Sequence, residues 1–113
     1  MPLILETLGT LTIATAEQNS AALSSLTHGV KARMCRSITI YGPETLPETV
    51  TVEVQPLSGG AWRTLQSAGT DIGVGVGKAV IIEPSKFGDA RLHAGGAVAA
   101  DRAFAVEGSF ESS

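Results

Sequence analysis

The chain is short of the groups from which most protein chemistry is built. It has one cysteine, Cys35, in 113 residues. A lone thiol excludes an internal disulfide and a cysteine-based zinc cluster, and it accords with folding in a reducing compartment. Set between Met34 and Arg36, Cys35 reads as a small packed side chain. Aromatic residues make up 4% of the chain, so few remain for a stacking surface once a core is filled. The two histidines, His28 and His93, form no metal-ligand pair such as H-x-x-x-H. Charged residues are 17% and the net charge is -3. The basic residues are scattered apart from Lys31, Arg33 and Arg36, which read as a solvated strand face, so nucleic acid is not an expected partner. The opening MPLILETL has neither a basic n-region nor a long apolar run, so no secretory signal and no membrane span are expected.

What the chain does have is alternation. It is 43% hydrophobic, and most of its segments repeat every second residue. TVTVEVQ puts Val50, Val52 and Val54 on one face and Thr51, Glu53 and Gln55 on the other, the mark of a half-buried strand. Ile38 and Ile40 in SITIYG, the run KAVIIEP, Arg91 to His93, and Phe104 with Val106 in RAFAVEG repeat the pattern. AWRTLQ adds a short strand whose Trp62 is expected in the core. GPETLPE, PLSGG and Gly95-Gly96 punctuate these runs. Short strands with turn signals at roughly ten-residue spacing predict an all-β chain, a single antiparallel β-sandwich. LTIAT alternates as a strand, whereas residues 14–26 fit either period poorly and are assigned to strand rather than helix. Residues 1–9 are an N-terminal arm or a first strand, residues 10–108 the sandwich domain, and residues 109–113 a C-terminal tail.

One stretch imitates a nucleotide site. DIGVGVGKAVIIEP runs three glycines and a lysine into an apolar segment. A P-loop needs four residues between its glycines and a Ser or Thr after the lysine. Here three residues separate Gly73 from Gly77, and Ala79 follows Lys78. The dinucleotide fingerprint fails as well, because the third glycine comes one residue early and no helical pattern follows. The stretch reads as a hairpin turning near Gly77-Lys78. Its Gly73 and Gly75 leave one strand face bare, which lets a neighbouring backbone approach closely.

Other chemistry is equally thin. No G-x-S-x-G elbow accompanies the serines, and Glu44 and Glu48 flank a loop where solvation is the default. Asp71, Asp89 and Asp101 sit at strand edges as ordinary turn residues, and no calcium-loop spacing occurs. Neither catalytic residues nor a cofactor, metal or small-molecule substrate is expected.

The succession ATAEQNSAALSSL, SITIYGPETLPETVTVEVQ, AWRTLQSAGTDI and GKAVIIEPSKFGDARLHAGGAVAADRAFAVEG resembles small β-sandwich virion proteins of tailed bacteriophages. The resemblance covers about residues 10 to 108 and lies in the order of the strands rather than in a signature motif. It implies a jelly-roll-like, non-enzymatic capsid decoration (cement) protein. Such a protein is made in the host cytoplasm and binds between major capsid protein subunits on the virion surface. The aliphatic side chains of residues 1–8, if they form an arm that another subunit covers, predict a homo-oligomer, a trimer before a dimer. The candidate interaction residues are Leu3, Ile4, Leu5 and Leu8, an apolar opening suited to being covered in an assembly, with Gly73 and Gly75. Two alternatives stand beside this reading. One is a tail, baseplate or receptor-binding module; the other is a carbohydrate-binding sandwich, which requires an exposed Trp62 or Tyr41.

Overall fold

Period-two segments become strands wherever one face has an apolar partner to cover. The computed structural model describes residues 3–26, 32 and 34–111; His28, Lys31 and Arg33 lie outside the described residues. The strands are β1 (Leu3–Ile13), β2 (Ser37–Tyr41), β3 (Val50–Gln55), β4 (Arg63–Thr64), β5 (Gln66–Ser67), β6 (Thr70–Asp71), β7 (Gly73–Val74), β8 (Ala79–Ile82), β9 (Asp89–Ala94) and β10 (Arg102–Glu111). One sheet, here sheet A, has the order β1-β10-β2-β8; in sheet B, β3 lies between β9 and the pieces β4 and β7. All of these pairings are antiparallel.

The pairing order defines the topology. The first strand pairs with the last, β1 with β10. The segment around Asn19 bridges His93 of β9, next to last. Then β2 pairs with β8, and β3 with β4 and β7. A long antiparallel hairpin wrapped over itself gives this sequence of partners, and it is a jelly roll. Between the sheets, Leu11, Ile13, Ile38, Ile40, Phe104 and Val106 of sheet A meet Val50, Val52, Ala90, Leu92 and Ala94 of sheet B in one buried cluster. Burying each large side chain stabilises the fold by about 1.5–3 kcal/mol. Cys35 is buried there too, as its neighbours suggested.

Several expectations change. Residues 3–13 are one strand, with a bulge between Thr7 and Gly9, so the chain shows no boundary at residue 9. Gly9 has φ +139°, a value that suits glycine at a bulge. The predicted tail begins too early, because Ser109, Phe110 and Glu111 pair with Leu5, Ile4 and Leu3. Residues 14–26 are neither a regular strand nor a helix. Ala16, at φ 71°, turns the chain, Gln18 to Ser20 line the edge of β9 through backbone bonds, and Leu23–Ser25 is a single 3-10 turn.

The hairpin is also elsewhere. β7 and β8 belong to different sheets, so the glycine stretch is a crossover from one sheet to the other. Its turn is real: Lys78 N–H donates to the Gly75 carbonyl at 3.1 Å, and Gly77 has φ +62°. The true tight hairpin joins β5 to β6 through Ala68 (φ 53°) and Gly69 (φ 81°), both central residues being left-handed as a type I′ turn requires. It loops out between β4 and β7, which lie end to end along β3.

Candidate interaction surface

Alternation and register place every second residue of sheet A on its outer face. Across the strands run Leu5–Ser109–Ser37, Thr7–Glu107–Thr39–Ile81 and Thr10–Ala105–Tyr41–Ala79. These rows are small or apolar. Leu3, Leu5, Tyr41 and Ile81 are 57%, 62%, 40% and 67% exposed. Among the described residues of this face, Glu107 is the charged side chain at the middle and Glu111 the one at the end. Tyr41 donates its hydroxyl to Glu107 Oε1 at 2.6 Å. That hydrogen bond raises the Tyr41 pKa above its usual value, with burial and the Glu107 charge acting the same way. Glu111 pairs with Arg36 at 2.7 Å.

The six candidate residues divide. Leu3, Ile4 and Leu5 are exposed on β1. Leu8 is not available: it follows Thr7 on the opposite, inward face of β1, is fully buried, and packs near Gly108. Gly73 and Gly75 lie away from β1 in the crossover, and the structure does not bring them to the same surface. Gly73 faces the Val50 carbonyl, which a Cβ there would meet at 2.7 Å. Close backbone approach is the use expected of it, but the neighbour is its own β3. No helix start follows Lys78; β8 does.

The outer face of sheet B is polar. Arg91 donates Nε–H to Glu53 Oε1 at 2.8 Å, and its guanidinium carbon lies 4.5 Å from the centre of the Trp62 ring. His93 Nδ1 is 2.7 Å from Asn19 Oδ1 and 3.9 Å from Glu53 Oε2. Trp62 is therefore half-buried on the surface and not a core residue. It shares the outward side with Thr64, opposite Glu53, while the inward place goes to Leu65, which packs on the core. His93 leaves the core on a strand face, as its spacing suggested.

Glu48 is not the solvated loop residue expected. Arg102, itself buried, donates Nε–H and Nη2–H to its carboxylate at 2.9 and 3.2 Å. This hydrogen bonding holds the Glu48 carboxyl below its ordinary 4.5, and bonds from the Thr15 N–H and hydroxyl hold Asp101 below its ordinary 3.8. Both groups bind protons less readily folded than unfolded. Their contribution is present above the ordinary values and is lost as pH falls through the depressed ones. The melting temperature should therefore drop below about pH 4.5. Glu48→Gln should lower it at neutral pH and flatten the acid limb; thermal melts across the pH range check this, and parallel curves would contradict it.

No group of three or more His, Cys, Asp and Glu is placed to hold a metal among the described residues. An open groove of about 320 Å³ lies between the β5–β6 hairpin and β8, lined by Leu65, Ile72, Ile81 and Phe87 with Glu83 and Lys86. Its charged pair, Glu83 and Lys86, sit 3.7 Å apart and engage each other. Among the described helices none is long and apolar enough to cross a membrane. Comparison with family models, with curated proteins and with solved structures finds no match for this chain.

Proposed function

We infer that the protein is a non-enzymatic structural protein of an assembled particle, of the kind that decorates a bacteriophage head by binding between major capsid subunits. The outer face of sheet A carries this reading. It is broad, rich in Ala, Ser and Thr, exposes Leu3, Leu5, Tyr41 and Ile81, and holds its central charge in a bond to Tyr41. An exposed face of that kind suits an interaction surface, because little desolvation of charge opposes its burial. The jelly-roll topology agrees with the role, although fold alone does not assign one. The surface of a virion is the corresponding location.

Cosedimentation with assembled capsid shells tests the reading. The protein should pellet with shells and stay in solution with unassembled capsid subunits. Remaining in the supernatant in both cases would overturn it.

A second reading has its own observation. Trp62 lies half-buried on the surface against Arg91, which in turn bonds to Glu53, and an exposed Trp62 is what a carbohydrate-binding sandwich requires. The guanidinium already occupies one face of the ring, so a sugar would need the other. Trp62-dependent binding on a glycan array, without shell binding, would favour it.

A further inference from the structure

Strand β1 is the longest strand of sheet A and, among the described residues, forms its edge, with β10 its one neighbour in the sheet order. Which of its backbone groups face outward follows from the ladder. Gly42 N–H donates to the Lys78 carbonyl at 2.7 Å, which fixes the phase of the β2–β8 pairing. In antiparallel pairs, bonded and non-bonded positions alternate. Ile38 and Ile40 therefore bond to β8, and Ser37, Thr39 and Tyr41 turn to β10. There they meet Ser109, Glu107 and Ala105, which leaves Phe104, Val106, Gly108 and Phe110 to bond to β1. On β1 their partners are Leu11, Gly9, Glu6 and Ile4. The N–H and C=O groups of Leu3, Leu5 and Thr7 consequently point away from the sheet, before the bulge at Gly9 ends the regular run.

Edges of this kind are ordinarily blunted by proline, lysine or a bulge. Between Leu3 and Thr7 there is none of these, and Glu6 is the one charge. We propose that this edge is completed by β1 of a second copy of the chain, antiparallel about a two-fold axis at Leu5. That centre is the only one at which Leu3, Leu5 and Thr7 all find partners within the stretch. Leu5 exchanges bonds with its counterpart, and Leu3 with Thr7 of the other copy. Shifting the centre to Ile4 or Glu6 sends Thr7 beyond Leu3 or Leu3 onto the Gly9 bulge. The same register sets each Glu6 opposite Ile4 rather than opposite the other Glu6, so like charges do not face directly. Leu3, Ile4 and Leu5 of both copies are brought together. The result is one continuous sheet built from two copies of sheet A, with a dimer as the unit where the sequence favours a trimer. The dimer needs no shell, so its failure and that of the decoration reading are separable.

Sedimentation equilibrium of the full chain alone, from on the order of 1 to 100 μM, tests it. The protein should be a dimer at the upper end. Leu5→Pro removes an N–H that only the second copy uses, and Leu5→Lys places a charge at the axis; each should weaken dimerisation by about tenfold or more while the unfolding transition persists. Oxidised Leu5→Cys should form a covalent dimer, since bonded antiparallel partners lie at disulfide range, and Thr12→Cys beyond the bulge should not. A monomer throughout, a trimer, a dimer indifferent to both Leu5→Pro and Leu5→Lys, or equal cross-linking at Thr12 would each overturn the proposal.

Discussion

Phe104→Ala should destabilise the protein by about 3–5 kcal/mol, the usual loss on deleting a large buried aromatic side chain. Phe104 is fully buried on β10, a central strand of sheet A, and lies in the cluster formed by the inner faces of both sheets. Beside a total stability of roughly 5–15 kcal/mol for a domain of this class, that is a large fraction. Trp62→Ala should do much less. The ring is only half-buried and lies outside the core cluster. It therefore loses part of the burial energy together with its contact with Arg91 at 4.5 Å, the contact being worth about 0.5–1 kcal/mol at an exposed site. Urea denaturation of the two variants separates them. Equal losses would mean that Trp62, not Phe104 alone, belongs to the core.

Gly42→Ala should be costly for a different reason. A Cβ at Gly42 would lie 2.1 Å from the Gly75 carbonyl oxygen and 3.1 Å from Val74 Cγ1. Neither backbone is free to withdraw: Gly42 N–H donates to Lys78 at 2.7 Å and Gly77 N–H to Pro43 at 2.9 Å. Overpacking of this sort costs about 1–3 kcal/mol, and a clash with fixed backbone belongs at the upper end. Gly96→Ala, where a Cβ meets nothing within 4 Å, should stay within about 0.5 kcal/mol of the original. Thermal melts of the pair check the contrast; similar melting would mean that the crossover is loosely held.

The fold was legible where one face of a strand is apolar and the other polar. TVTVEVQ, SITIYG and RAFAVEG became β3, β2 and β10, because period two has only one way to bury those faces. AWRTLQSAGTDIGVGVGK was less legible. The sequence offers the chain a conspicuous glycine run, but the hairpin formed at Ala68-Gly69, where an alanine adopts positive φ that its side chain does not advertise. The alternation of Trp62 with Arg63 was readable, yet which side faces inward depends on β3, and that register is set by distant pairing. Leu8 was indistinguishable from Leu3 and Leu5 by composition. With residues 3–13 in one strand, Leu3, Leu5 and Thr7 share the outer face and alternation turns Leu8 into the core; the bulge at Gly9 then shifts the phase so that Leu11 and Ile13 also face inward. Glu48 and Arg102 stand far apart in sequence, and no local pattern announces their pairing. Of the surface, the apolar opening was visible; the contribution of Thr39, Ala105, Tyr41 and Ile81 needed the strand order.

The most direct measurement is the affinity of three proteins for assembled capsid shells: the original chain, Ile81→Lys and Trp62→Ala. Ile81 is 67% exposed on sheet A, in the row that crosses Thr39, Glu107 and Thr7. A lysine there places a charge that a docked face must desolvate, so binding should fall by about tenfold or more. Trp62, on the opposite sheet, should be replaceable without loss. Shell binding that survives Ile81→Lys and fails with Trp62→Ala would place the interaction on sheet B and contradict the account.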